Sequence, residues 1–204
     1  MKILCISPHT DDAELGAGGF ISKSIQQGDT VDHLILSNAV KSLPKGLASD
    51  TLINEANNAA AKIGFSNLRL ENFPVRDFPG VRQDILELFY AISRKKTYDL
   101  VLIPSAYDIH QDHETTHKEA VRAFKNSSIY GYELPWNNFS FQNNGYINLS
   151  EQNVEDKLNA VNCYQSQKHR AYMQPDYLRS LAMVRGSQIG TKYAETYEII
   201  RLIS

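Results

Sequence analysis

Apolar residues in this chain fall into short runs, each ending in a polar or glycine-rich cluster before a stretch of helical period begins. Ile3-Leu4-Cys5-Ile6-Ser7 is the first run, a buried strand by its length and continuity. A helix opens through the glycines that follow, and its body over 19–27 puts Phe20, Ile21 and Ile25 on one face before Gly28 closes it. Residues 30–37 read as a second strand, β-branched at Thr30 and Val31, with His33 packed inside it. A loop carrying Pro44 and Gly46 follows. Leu52, Ile53, Ala56, Ala60 and Ile63 then form one stripe of a helix over 50–63, stopped by Gly64.

The pattern repeats further on. A short strand at 67–73 leads through a loop at 74–80 into an amphipathic helix at 81–95, which bears Ile85, Leu88, Phe89 and Ile92. Residues 99–103 are almost wholly apolar, as a strand buried on both faces must be. A helix at 114–125, an aromatic-rich strand pair at 128–141, a strand at 146–150, a helical pattern over 154–172 introduced by Ser150 and Glu151, and a last strand at 197–203 complete the chain. Strand–helix–strand alternation predicts an α/β fold. The form expected is a Rossmann-like, doubly wound, mostly parallel sheet with helices on both faces. One domain over 1–204 is expected, the part from about residue 128 completing the sheet and the substrate site.

Polar chemistry gathers where two of these strands stop. Pro8-His9-Thr10-Asp11-Asp12 follows the first strand, at the end where open α/β sheets place their ligands. His9 and Asp12 can converge on a metal, and Asp11, left free beside them, is a candidate general base. Asp108-Ile109-His110-Gln111-Asp112-His113 follows the fourth strand and adds two histidines and two aspartates. His113-Glu114-Thr115-Thr116-His117 also satisfies HExxH, which on a helix describes a zinc peptidase using His113, His117 and Glu114. That alternative leaves His9, Asp11 and Asp12 without a task and offers no third ligand, so His117 is read as a histidine at the edge of the core.

Pro8-His9-Thr10-Asp11-Asp12-Ala13-Glu14-Leu15-Gly16-Ala17-Gly18-Gly19 resembles the opening motif of the PIG-L/LmbE-like metal-dependent N-deacetylases, with Thr10 and Ala17 as the departures. His110-Gln111-Asp112-His113 resembles their second motif. The resemblance implies His9, Asp12 and His113 as metal ligands and Asp11 as general base. It implies a protonated His110 that stabilises the oxyanion, and Asp112 as the carboxylate that orients and charges His110. Tyr132 to Trp136 resembles a segment of the sugar-related branch, which implies Glu133 and Trp136 at a carbohydrate site. The C-terminal pattern around Tyr193 and Glu195 implies either contact with the site or a pin for the last strand. Arg76 and Arg82 are candidate contacts for a phosphate or carboxylate, and Gln165 and Gln167 read as solvated or interface residues. An arginine frequent in the family is replaced at Leu52.

Composition narrows this little. Hydrophobic residues are 42%, charged residues 22% and the formal net charge is -2, so nothing global points to nucleic acid. Cys5 and Cys163 make no disulfide framework and read as small buried hydrophobes. No secretory segment or membrane span is legible, and a cytoplasmic location is expected, with a homo-oligomer possible. No P-loop, dinucleotide fingerprint or Gly-x-Ser-x-Gly elbow occurs. The expected function is zinc-dependent removal of an N-acetyl group from an amino sugar or its conjugate, with ferrous iron as the other metal that suits two histidines and a carboxylate. The alternatives are the HExxH peptidase and a non-catalytic, metal-stabilised binding protein.

Overall fold

The computed structural model describes residues 1–203. Seven strands form one sheet: β1 (Lys2–Ser7), β2 (Thr30–Ile35), β3 (Asn67–Leu70), β4 (Leu100–Pro104), β5 (Ser128–Tyr132), β6 (Gly145–Leu149) and β7 (Tyr193–Arg201). Their spatial order is β3-β2-β1-β4-β5-β7-β6. The first five are parallel, while β7 runs antiparallel to both β5 and β6. From β1 the chain winds outward to β2 and β3, then returns to β4 on the other side of β1. The order therefore reverses between β1 and β4, and an open α/β sheet forms its ligand crevice at such a reversal.

Alternation along the strands builds two cores. Ile3, Cys5, Val31, Ile35, Leu100 and Leu102 face one layer, formed with α1 (Asp12–Gln26), α2 (Thr51–Ile63), α5 (Glu151–Val161) and α6 (Pro175–Ser187). Leu4, Ile6, Leu34, Leu36, Val101 and Ile103 face the other, against α3 (Arg82–Lys95) and α4 (Gln111–Ala123). Buried on both faces, these strands carry the continuous apolar runs that parallel sheets require.

Several elements differ from the pattern: the stretch at 128–141 forms one strand, β5, rather than a pair, α6 occupies a segment where no helix is predicted, and β7 begins at Tyr193 rather than at 197. Helix α1 begins at Asp12, well before the predicted body at 19–27. Its glycines are packing contacts rather than a turn: a Cβ on Gly16 would lie 2.4 Å from the Tyr132 ring, and one on Gly19 2.4 Å from Leu149. The predicted helix over 154–172 stops at Val161, and two short 3-10 turns, Gln165–Gln167 and Ala171–Met173, lead into α6. Long-range bonds hold this irregular stretch. The Tyr164 hydroxyl donates to the Thr10 carbonyl, and Glu55 on α2 accepts from the Ser166 amide at 2.8 Å and its hydroxyl at 2.6 Å. A continuous helix could not make both attachments.

Candidate metal centre

Strand β1 ends at Ser7, and the turn that follows is folded by its own side chain. Asp12, the first residue of α1, accepts from the His9 amide through Oδ2 at 2.8 Å. That bond brings the His9 ring and the Asp12 carboxylate to the same side of the turn. Beyond β4 the chain runs through Ser105–His110 and enters α4, with His110 as N-cap accepting from the Asp112 amide at 3.2 Å through Nδ1. Because β1 and β4 are parallel neighbours, both turns lie on one rim.

Three donor atoms converge there. His9 Nδ1 and His113 Nε2 are 3.1 Å apart, and Asp12 Oδ2 is 3.4 Å from each. The opposite ring nitrogens settle the tautomers. His9 Nε2 faces Asp112 Oδ2 at 2.9 Å and His113 Nδ1 faces Asp108 Oδ2 at 2.7 Å. An ionised carboxylate only accepts, so each of these nitrogens carries the hydrogen. In the neutral rings the lone pairs of His9 Nδ1 and His113 Nε2 therefore point at each other. A proton on one of the two nitrogens, or a metal ion bound by both, makes that arrangement favourable. Ligand atoms ~2.0–2.1 Å from a tetrahedral metal are roughly 3.3–3.4 Å from one another, which matches this triangle. Histidines braced by carboxylates are the usual support of such a centre, so the residues present fit a divalent metal. A nitrogen of His110 also lies within 4.8 Å of those of His9 and His113.

Two assignments change. Asp112 does not orient His110. Its carboxylate is turned the other way, onto His9 and onto the amides of Arg76 at 2.7 Å and Phe78 at 3.3 Å. Nor is His110 held as a cation, because its Nδ1 accepts from a backbone amide and the proton sits on Nε2. Burial, followed by the neighbouring His113 and His9 rings, keeps it below the ordinary imidazole range. Asp108, to which the motif resemblance assigns no role, braces His113 and also accepts from the His110 amide at 2.8 Å. Its position two residues before a candidate histidine was the available signal.

The charges follow from this packing. Burial and the neighbouring Asp12 raise the Asp11 carboxyl to about 6, against the opposing pull of His9. Burial works against Asp12 as an anion, but His113 and His9 overcome it and hold the group well below the usual carboxylate range. Burial likewise opposes a charged His9, and the Asp112 and Asp12 hydrogen bonds outweigh it, so the metal-free ring keeps a proton up to about 10.

Above the triangle opens a cavity of about 230 Å³, into which Asp11, Arg76, His110 and Trp136 also project. Gln167, Arg170 and Tyr172 complete its wall. No sequence signal points to Arg170 and Tyr172, and Gln167, expected to be a solvated or interface residue, is buried. Trp136 stacks on Tyr172 with ring centroids 3.9 Å apart and planes at 11°. Three other candidates are elsewhere. Arg82 pairs with Glu119, Glu133 with Arg185, and Tyr193 is buried against Arg179 and Glu151. Glu195 accepts from the Gly19 and Phe20 amides at 2.9 and 2.8 Å and from Lys157 at 2.7 Å, which pins β7 to α1. The HExxH arrangement does not form either: His117 Nδ1 donates to the Pro104 carbonyl at 2.9 Å, and Glu114 pairs with Lys118 at the surface.

A braced triangle of two histidines and an aspartate, set at the reversal of a doubly wound sheet with a free carboxylate beside it, defines a hydrolase centred on a metal. The pattern of the PIG-L family, described as GlcNAc-PI de-N-acetylase, matches residues 4–124, and the chain belongs to that family. It is 27% identical over 218 residues to the diacetylchitobiose deacetylase of Thermococcus kodakarensis, an alignment covering 95% of this chain and 81% of the relative. Among solved structures it resembles the N,N'-diacetylchitobiose deacetylase of Pyrococcus horikoshii (24% identity, TM-score 0.82, 98% of this chain and 84% of the other). The 4-carboxy-2-hydroxymuconate hydratase of Pseudomonas putida KT2440 is as similar in shape (20% identity, TM-score 0.83, 100% and 97%). Such a likeness carries the fold and not the reaction. No helix among the described residues is long and apolar enough to cross a membrane.

Proposed function

We propose that this chain is a zinc-dependent deacetylase that hydrolyses the N-acetyl group of an N-acetylated amino sugar or its conjugate. The convergence of His9 Nδ1, His113 Nε2 and Asp12 Oδ2, with Asp11 left free in the same cavity, carries the reading. Family membership and the diacetylchitobiose deacetylase relative support the amide and the sugar. His9, Asp12 and His113 hold the metal, which when bound supplies a Lewis acid that acidifies water and polarises a carbonyl.

The remaining work falls to the chain itself. Asp11 accepts a proton as water adds to the amide carbon, a contribution of about 10²- to 10⁴-fold. The Asp11 carboxyl sits at about 6 in the metal-free protein, and a cation bound beside it would lower that value, so the group is ionised at neutral pH. His110 donates its Nε2 hydrogen to the oxygen on which negative charge develops. The carbon–nitrogen bond then breaks, the amine leaves with the proton that Asp11 took, and acetate remains. The stacked pair of Trp136 and Tyr172 offers a flat apolar wall for a sugar ring.

Acetate release from a panel of N-acetylated sugars, with chelator-stripped protein and after adding back zinc or ferrous iron, tests the reading. Release restored by zinc and absent from Asp11→Asn supports it. Asp11 works only when ionised, so kcat/KM should be high at neutral pH and decline as pH falls through the Asp11 pKa, which the bound metal would bring below its metal-free value of about 6. Metal-loaded protein that releases no acetate from any panel member overturns the proposal.

A further inference from the structure

The chain has nine arginines. Arg69, Arg82, Arg122, Arg179 and Arg185 each reach a carboxylate. Arg76 and Arg170, the two that line the cavity, have none within 4.0 Å among the described residues. Arg76 gives Nη2 to the Lys41 carbonyl at 3.1 Å. Arg170 gives Nη1 to the Tyr172 hydroxyl, and its buried Nε–H has no partner among the described residues. Tyr172 is itself fixed by its stack on Trp136, so the guanidinium is held in place rather than free to sweep the surface.

The uncommitted edge of Arg170 is the one that binds oxyanions. Nε and Nη2 form the side-on fork of a guanidinium, matched to the two oxygens of a carboxylate or phosphate. This molecule already uses that edge: Arg185 holds Glu133 through Nε and Nη2, and Arg82 holds Glu119 through the same pair. A neutral hydroxyl would satisfy the Nε–H, yet leave both guanidinium groups without a directly bonded carboxylate, since Asp11 shares the cavity and feels the charge of Arg170 but forms no ion pair with it.

We propose that Arg170, with Arg76 as a second cation, anchors an acidic substituent of the substrate, a phosphate or a carboxylate, while the acetamido group lies at the metal centre. The inference takes the sugar from the deacetylase reading, but the anion preference stands on binding alone.

The test is calorimetric binding of three probes to the metal-loaded full chain: N-acetylglucosamine, its 1-phosphate, and its 3-O-lactyl ether, which carries a carboxylate. One acidic probe should bind at least about tenfold more tightly than the neutral sugar, and added salt should weaken only the acidic one. Which of the two is preferred separates phosphate from carboxylate. Arg170→Gln should abolish the preference, read as the ratio of acidic-probe to neutral-sugar affinity in the same variant, whereas Arg170→Lys, which keeps the charge but not the fork, should retain part of it. Arg76→Gln should reduce it less and serves as the second variant if Arg170→Gln fails to fold. Equal affinities for all three probes, no binding of any, or a preference that survives both glutamine variants overturns the inference. Preference without acetate release supports this inference and overturns the deacetylase reading, and acetate release without preference does the opposite.

Discussion

The floor and the wall of the cavity are built on different principles. The floor comes from two turns at the ends of adjacent strands, where Asp12 binds the amide of His9 and His110 caps its own helix. Its donors are placed by bonds spanning two or three residues and then braced by Asp108 and Asp112. The wall comes from an irregular segment after α5, hung on Thr10 and Glu55 by bonds spanning 154 and 111 residues. Each turn of the floor is set locally, and the brace from Asp112 to His9, which spans 103 residues, then ties the two turns together into one centre. Distant attachments let the shape above that centre vary without disturbing it.

Removing a ligand from the floor should have the largest effect. Asp12→Ala or His113→Ala should lose the metal and lower turnover by about 10³-fold or more, with metal content by elemental analysis as the check. Either variant retaining a full complement of metal would break the distinction between floor and wall.

Removing a brace should act more gently. Asp108→Asn and Asp112→Asn should each weaken metal affinity by ~10- to 100-fold, measured by competition with a chromogenic chelator. Since Asp112 acts on His9, neither variant should selectively disable His110. A change in Asp112→Asn confined to kcat, with affinity intact, would restore the role expected from the sequence.

Acid should loosen the metal for a related reason. His9 in the metal-free protein holds its proton up to about 10, so an entering ion must displace it at neutral pH. Binding near pH 7 should release about one proton, and apparent affinity should fall about tenfold for each unit of pH lowered. Calorimetry in buffers of different ionisation enthalpy reads this directly.

The smallest effect belongs to the wall's attachment. Glu55→Gln keeps the shape but weakens the grip on Ser166 and should cost about 1–2 kcal/mol of stability. It should raise KM by a few-fold, roughly, while metal affinity stays at the parent value. A parallel loss of metal would show that floor and wall are one unit.

The sequence made the floor legible because its chemistry sits in two contiguous motifs at strand ends that periodicity could locate. It misled at Asp112 because spacing along a chain does not say which of three nearby imidazoles a carboxylate will meet. Glu133, Arg82 and Tyr193 looked available for chemistry, but each had a partner from a distant element. The wall was unreadable for the converse reason. Residues 162–174 fold as short turns without a period, and only long-range bonds bring Gln167, Arg170 and Tyr172 to the cavity.

Arg76 joins the two regions. Its backbone adopts φ 67°, unusual for a side chain of its size, while its amide binds Asp112 and its side chain lines the cavity. The loop a protein engineer would first vary to admit a new substrate is therefore also the seat of the carboxylate behind His9. Libraries at residues 75–77 will mix altered recognition with weakened metal retention, and screening them at low metal concentration would favour conservative sequences for reasons unrelated to the substrate.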